Sequence, residues 1–540
     1  MLILDCINIR KNFCDREILS FNQLQIRTGD KIGVVGQNGA GKSTLLNILA
    51  GDILPDEGIV KRFCEIAYIK QFSDKETKAD SKVLSEFSVL NKINTIGVSG
   101  GERTRIKIAS ALSKGSVVLF ADEPTANLDF DGIQTLKKKL LEAETLVLIS
   151  HDSELLDGIC NRIIEVAGGK LSFFDGNYSF YRQQKQEIIA RELFEYESYI
   201  DEKKHLEAAI VNRKTRAKAV RKAPARMGNS EARLHKRRAN EMQEKIFDAA
   251  KNIQTRIEKL EVKTKPKEIP SIKLDFSLTN PPKNKIVISS NNFSYAYGRK
   301  EIFINTKFHI YNGIKHAVTG GNGTGKTTLL NQIYNRCKDI NIAPKAELGY
   351  FYQGFENLEL NKTVLDNVMK DSLQNETTAR TILARLLLSS DSIYKKIDVL
   401  SGGERIKVSF ARLFVSRANV LLLDEPTNYL DMESIEALQR ILCQYEGTVL
   451  FVSHDKAFVN GVAQRLLVIE NNQIKEYEGS LKSYEEKSTI LKSQESIQTQ
   501  KMILQMRITE VMSKLSQRNS DKDKLEAEYQ ELVYKMRMLN

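Results

Sequence analysis

With 540 residues, 41% of them hydrophobic and 28% charged, the chain has room for about three domains that each bury a core. Its apolar runs, such as Val117–Ala121 and Val420–Leu423, fall far short of the about 20 residues a membrane span needs, and Met1–Leu4 meets Asp5 too soon for a secretion signal, so a cytoplasmic protein is expected. Six scattered cysteines without a CxxC pair suggest neither disulfide nor metal site, and of the net charge of +12 almost all lies in residues 211–240, which hold eleven Lys/Arg against Glu231, a net +10.

In chain order, Phe13 precedes a short apolar strand, Ile32–Val35. The strand runs into Gly36-Gln-Asn-Gly-Ala-Gly-Lys-Ser43, and Leu45 and Leu46 then begin an apolar helix. Strand, glycine loop and helix start are the context in which backbone N–H groups close round phosphates. The phosphate contacts expected are Gly36, Asn38, Gly39, Gly41, Lys42, Ser43 and Thr44. Lys42 neutralises the β and γ phosphates, and Ser43 ligates Mg²⁺. A strand holding Tyr68 leads to Gln71, which can reach the metal and water. Ser99, Gly100, Gly101 and Glu102 open a helix over Arg103–Leu112, an anion site at a helix N-terminus. The apolar run before Asp122 and Glu123 reads as a buried strand ending in two acids. Asp122 fits the metal shell, and Glu123 falls where a general base or water-orienting group is needed. Leu146–Ile149 is another apolar strand, and His151 just beyond it suits a γ-phosphate sensor.

Residues 183–282 then read as two helices about a turn. Ile189, Leu193, Tyr196 and Ile200 recur at helical spacing, as do Met242, Ile246, Ala249, Ile253, Ile257 and Leu260. Ala223–Ser230 between them carries Pro, Gly and Asn, which mark a turn. The hairpin's basic tip holds Arg213, Lys214, Arg216, Lys218, Arg221, Lys222 and Arg226, the expected RNA contacts. A mostly single-signed charge run of this kind points to a polyanion and to binding that weakens steeply with salt.

Beyond it the motifs return in the same order, 284 residues on for the glycine loop and 302 to 303 for the rest. Tyr297, or Tyr295 in its place, corresponds to Phe13. Gly320, Asn322, Gly323, Gly325, Lys326, Thr327 and Thr328 form the second phosphate loop, with Thr327 on the metal. Gln353, Ser401, Gly402, Gly403, Asp424, Glu425 and His454 follow. Such a repeat denotes two homologous modules. Because each signature serine cannot serve its own phosphate loop, two ATP molecules are expected between modules, with Lys42 facing Ser401 and Lys326 facing Ser99. The tail carries apolar stripes at Leu504, Ile508, Val511, Leu515 and at Leu525, Tyr529, Leu532, Met536, a second helical hairpin.

Twin cassettes, the SGGE signature and a charged helical linker resemble the ABC-F ATPases over nearly the whole chain. The resemblance implies an α/β fold: two ABC-type P-loop ATPase domains at 1–182 and 283–488, a helical hairpin linker at 183–282 and a C-terminal helical extension at 489–540. It implies ATP and Mg²⁺, with Phe13 and Tyr297 stacking on adenine. It also implies a partner, the 70S ribosome, entered at the E site, with the linker reaching 23S rRNA and P-site tRNA. Ala126 stands where the family more usually has Asn. The short stretch between Gln71 and Ser99, the long linker and the C-terminal extension resemble the Vga-like antibiotic-resistance branch, which implies displacement of large-subunit drugs by a monomer whose cassettes pair intramolecularly, without membrane or DNA. Two other readings stay open: a housekeeping ABC-F translation factor that relieves stalled ribosomes, and the ATPase subunit of a membrane exporter. DNA-repair and chromosome-associated relatives carry zinc motifs or very long coiled coils, and this sequence has neither.

Overall fold

A computed structural model describes the chain except for residues 14–15, 71–79, 88, 90–99, 114–115, 127, 220–228, 264–275, 352–357, 516–521 and 539–540. Two compact units emerge, one from residues 1–173 with 271–540 and the other from 174–270.

The first cassette runs β1 (Leu2–Phe13), β2 (Arg16–Arg27), β3 (Lys31–Val35), α1 (Lys42–Ala50), β4 (Glu57–Arg62), β5 (Ile66–Ile69), α2 (Ser81–Glu86), α3 (Gly100–Leu112), β6 (Val118–Asp122), α4 (Phe130–Glu142), β7 (Thr145–Ile149), α5 (Ser153–Ile159), β8 (Arg162–Ala167) and β9 (Lys170–Asp175). Strands β6 and β7 are buried at every residue, as a parallel sheet covered on both faces requires. They belong to a six-stranded sheet of order β5-β6-β7-β3-β8-β9. The β3 strand pairs in parallel with β7 on one side and β8 on the other. Its C-terminal end is therefore flanked by later strands, the place where open α/β sheets bind ligands. A second, antiparallel sheet of order β2-β1-β4 helps close the core around Leu4, Ile9, Leu24, Leu45, Phe120 and Ile164.

After the linker helices α6 (Tyr178–Ala219) and α7 (Asn229–Lys259), the second cassette repeats the plan. Its elements are β10 (Ile286–Tyr297), β11 (Lys300–Tyr311), β12 (Lys315–Thr319), α8 (Lys326–Tyr334), β13 (Asn341–Ile342), β14 (Leu348–Phe351), α9 (Val364–Met369), α10 (Glu376–Arg385), α11 (Gly402–Val415), β15 (Val420–Asp424), α12 (Met432–Gln444), β16 (Thr448–Val452), α13 (Lys456–Val462), β17 (Arg465–Glu470) and β18 (Gln473–Glu478). The sheet order, β14-β15-β16-β12-β17-β18, matches the first strand for strand. Alternation explains why β15 is apolar up to Asp424: Leu421 and Leu423 enter one core, Val420 and Leu422 the other. The 18 extra residues implied by the two offsets fall between β14 and α11, where α10 follows α9, and Val364, Val368, Ile382 and Leu383 of these helices pack into the first of these cores.

Within residues 174–270, α6 and α7 pair antiparallel. Glu202 bonds Arg256 at 2.9 Å, Lys263 lies 3.5 Å from Glu195, and Arg213 donates to the Ala249 carbonyl at 3.2 Å. Leu206, Ile210, Ala217 and Ala250 are buried. Of the expected tip contacts, Arg213, Lys214 and Arg216 are exposed, Lys218 lies in α6, and Arg221, Lys222 and Arg226 fall outside the described residues. The chain ends in α14 (Leu481–Leu515) and α15 (Lys522–Met538). Arg507 and Glu528 pair at 3.8 Å, and Val511 and Leu532 are buried. Among the described residues no helix is long and apolar enough to cross a membrane.

Candidate active site

Both glycine loops fold alike because their glycines take backbone angles closed to other residues. Gly41 and Gly325 begin α1 and α8 with φ of 102° and 101°. A Cβ on Gly325 would also collide with Ile302. Lys42 folds back so that its Nζ donates to the carbonyls of Gly36 and Gln37 at 2.6 and 3.1 Å. Lys326 does the same to Gly320 and Gly321 at 3.0 and 2.9 Å. Burial lowers both ammonium groups from the usual lysine range, against the pull of Glu123 and Glu425 respectively. Each cation therefore lies over the mouth of its loop, in a setting that favours an anionic ligand.

The paired acids end β6 and β15 beside these loops. The Ser43 hydroxyl bonds Asp122, and the Thr327 hydroxyl bonds Asp424. Burial raises both aspartates from the usual carboxylate range. The other oxygen of Asp122, Oδ1, is buried with no hydrogen-bond partner among the described residues. A hydroxyl beside a carboxylate with a spare oxygen is a hard donor set, and it fits Mg²⁺. Gln71 and Gln353, expected in the same shell, lie outside the described residues.

Glu123 and Glu425 hold left-handed backbones, φ 47° and 48°. That conformation is strained for a residue with a Cβ, and its presence at matching positions marks a functional turn. It is fixed by their N–H groups, which donate to Ile149 and Val452 carbonyls at 3.0 Å each. Each side chain then meets the strand-end histidine. His151 Nε2 lies 3.3 Å from Glu123 Oε1, and His454 Nε2 lies 3.4 Å from Glu425 Oε1. Burial pushes Glu123 up to about 7; burial, and after it Asp424, pushes Glu425 up to about 8. Burial also pulls His151 down to about 3 and His454 to about 4. Burial thus brings both carboxyls toward neutral pH and disfavours the charged form of both histidines.

The two cassettes meet at these loops. The Asn38 N–H donates to Asp431 Oδ2 at 3.0 Å, and its side-chain amide donates to the Tyr429 carbonyl at 2.7 Å. Gln37 adds a bond to Glu433 at 2.9 Å. In the mirror contact, Asn322 N–H donates to Asp129 Oδ2 at 3.2 Å. Both aspartates use their other oxygen to cap a helix of their own cassette, Asp129 on Gly132 N–H and Asp431 on Ser434 N–H. Although burial raises them, these bonds and the nearby cations hold both below the usual carboxylate range. Residue-by-residue reading missed Asp129 and Asp431 as bridging groups. Their recurrence 302 residues apart was a visible signal.

Ser401 caps α11, and Glu404 bonds back to its N–H in a capping box. A Cβ on Gly403 would stand 3.1 Å from Tyr429 O and 3.2 Å from Asn38 Nδ2, so the signature turn of one cassette is packed against the phosphate loop of the other. A cavity of about 1460 Å³ runs between them, lined by Asn38, Lys42, Ser43, Lys326, Ser401 and Gly101 among others. Phe13 and Tyr297, each about half exposed, also line it, as do Gly39, Gly41, Thr44, Asn322, Gly323, Gly325, Thr327, Thr328, Gly402 and Gly403. Gly36 and Gly320 start the two loops, at φ of 148° and 154°. Gly100 is the first residue of α3, while Ser99 lies outside the described residues.

The ABC transporter family pattern matches residues 19–126 and 303–428, one stretch in each cassette. Over 483 residues the chain is 33% identical to the erythromycin resistance ATP-binding protein MsrA of Staphylococcus epidermidis, covering 85% of this chain and 95% of that one. It is 31% identical to the ribosome protection protein VmlR of Bacillus subtilis, with 87% of each covered. It is also 31% identical to a probable ATP-binding cassette sub-family F member 3 homolog of Encephalitozoon cuniculi, over 87% of this chain and 81% of that one. Among solved structures, the archaeal ribosome recycling factor aABCE1, in complex with stalk protein aP1, superposes with a TM-score of 0.57 at 19% identity, covering 85% of this chain and 87% of that one. At that identity the likeness is one of fold.

Proposed function

The chain belongs to the ABC-F family of ATPases, and from that membership we propose that it binds the ribosome while two ATP molecules hold its cassettes closed, acts at the E site, and uses its linker to displace antibiotics from the large subunit. As an ABC-type ATPase it binds and hydrolyses ATP. The observation that carries the reading is the reciprocal bridge between the cassettes, Asn38 to Asp431 and Asn322 to Asp129. Each phosphate loop is joined to the other cassette's helix start, so ligand in either loop bears on both cassettes.

In this mechanism Lys42 and Lys326 neutralise the β and γ phosphates from beneath, while the signature turns at Ser99–Gly101 and Ser401–Gly403 cover them from the opposite cassette. Ser43 with Asp122, and Thr327 with Asp424, would hold Mg²⁺, which when bound would supply charge stabilisation at the phosphates. Glu123 and Glu425 take the proton of the attacking water, and His151 and His454 bond the γ phosphate. Phe13 and Tyr297 stack on adenine. Hydrolysis separates the cassettes and releases the ribosome. Exposed Lys214 and Arg216 of α6 face RNA phosphates in this scheme. The names of the resistance and ribosome-protection relatives support it, as does the concentration of positive charge in the hairpin.

The test uses E123Q combined with E425Q. With ATP this variant should sediment with ribosomes and stay there, since binding is retained and the step that reopens the cassettes is removed. Failure to sediment with ribosomes in ATP sinks the ribosomal reading. Expression in a susceptible host, with inhibitory concentrations measured across large-subunit drug classes, tests the resistance role; unchanged values for every class leave the housekeeping translation factor as the better reading.

A further inference from the structure

Resting on the ATPase reading, we infer that Phe130 is a positioning residue acting in trans, and that through it the two hydrolytic sites are unequal. Phe130 opens α4 of the first cassette, yet it packs against the core of the second. Its ring meets the His454 imidazole edge-on, with centroids 5.7 Å apart and planes at 75°. Lys456 also lies against it, with Nζ 5.4 Å from the ring centroid. Lys456 is itself tied down by Glu485 of α14 at 2.6 Å. The phenyl ring is thereby held between an imidazole and an ammonium group, an arrangement that aromatic quadrupoles favour.

The contact matters because of what His454 lacks. A histidine in a catalytic site is ordinarily oriented by a hydrogen bond from its far nitrogen. Among the described residues, His454 Nδ1 is buried and has no hydrogen-bond partner. Its Nε2 is directed to Glu425 at 3.4 Å. Rotation of the imidazole is then limited by packing, and the Phe130 ring packs edge-on against it. A residue of the first cassette thus sets the aim of the γ-phosphate histidine of the second, and does so only while the cassettes are together.

The other site is built differently. By the offset of 302, Met432 is the counterpart of Phe130, and a thioether carries no ring to hold His151 edge-on. A second asymmetry falls on the same side. Arg105 of the first signature helix is paired with Asp129, the residue that bridges to Asn322. Lys407, in the matching place, acts on Asp431 through charge alone. The Lys326–Glu425–His454 site is therefore the one whose histidine meets an aromatic ring of the opposite cassette.

The experiment separates the sites with glutamine backgrounds. E123Q leaves turnover to the Lys326 site, and E425Q leaves it to the Lys42 site. Phe130→Ala in the E123Q background should lower kcat for ATP about tenfold with KM little changed, as expected when a reacting group is misaimed while binding is intact. In the E425Q background the loss should stay within about twofold. Phe130→Tyr should restore the rate, and Phe130→Leu, of similar bulk but without the ring, should not. Equal losses in both backgrounds, or full rescue by leucine, overturns the inference. A second measurement needs no turnover. With six histidines in the chain, imidazole proton resonances can be followed singly, and Phe130→Leu should move that of His454 and leave that of His151 in place. Both moving together, or neither moving, counts against the contact. A chain that hydrolysed no ATP before substitution would instead remove the ATPase reading itself, a distinct failure.

Discussion

The two glutamates concentrate the chemistry of this protein into a protonation problem. Buried at strand ends, Glu123 and Glu425 are pushed up to about 7 and about 8 from an ordinary 4.5. They bind a proton more tightly folded than unfolded. The stability they contribute is complete below pH 4.5 and is lost as pH rises through about 7 and about 8. Glutamine cannot ionise, so E123Q with E425Q removes that loss. Thermal melts of nucleotide-free protein should show the double variant gaining on the unsubstituted chain between about pH 4.5 and pH 8, and a level margin above that. His151 and His454 are common to both chains, so their charging enters both melting curves alike. A margin that is flat with pH contradicts the assignment. The left-handed backbone at both residues adds strain that the neighbouring strand carbonyls hold in place. Nothing in the letters Asp-Glu-Pro-Thr discloses that strain, because it arises from the strand beside them.

At the scale of elements, buried parallel strands and capped helices divide the work. Strand β15 supplies alternate leucines to two cores and ends in Asp424, so its packing sets where the carboxylate stands. Leu422→Ala should cost about 2–5 kcal/mol, read as a lowered denaturation midpoint, and should weaken ATP binding only to the extent that folding is lost. Helix α11 tests the reverse case. Its Ser401 hydroxyl accepts from Glu404 N–H and donates to the Glu404 carboxylate. Ser401→Ala should cost about 1 kcal/mol in stability while depressing ATP hydrolysis far more than that cost explains, because in the proposed mechanism the same serine covers phosphate from across the cassette boundary. Equal and small effects on both would leave Ser401 a cap alone. The caps of α4 and α12 carry the same double duty. Asp129 and Asp431 each close a helix of their own cassette and bond the opposite phosphate loop.

For the whole molecule, the question is how cassette chemistry reaches a partner. The hairpin of α6 and α7 carries its charge on side chains such as Lys214 and Arg216, which are exposed. Arg213 is partly committed to the Ala249 carbonyl. Lys214→Glu with Arg216→Glu should therefore leave the fold and the ATPase rate alone, weaken ribosome binding and flatten its salt dependence. Each phosphate contact removed lowers the salt slope by about 1. Ribosome binding and salt slope both unchanged would move the RNA contact away from the hairpin.

Sequence and tertiary structure contributed at different ranges. Sequence by itself determined the two α/β cassettes, their motif order, the phosphate loops, the paired acids and both helical hairpins, because these are local: a glycine loop between strand and helix, or an apolar stripe at helical spacing, is legible within a few residues. It also determined that the cassettes are copies, since the offsets repeat. Only the tertiary structure decided what crosses between them. Asn38 meets Asp431, Asn322 meets Asp129, and Phe130 rests on His454 over separations of roughly 190 to 390 residues. Such pairings depend on which helix starts face which loops once both sheets are formed, and no periodicity along one chain encodes that. The same holds for the strained glutamates and their raised acidity, which come from burial and neighbours and are therefore properties of the folded site.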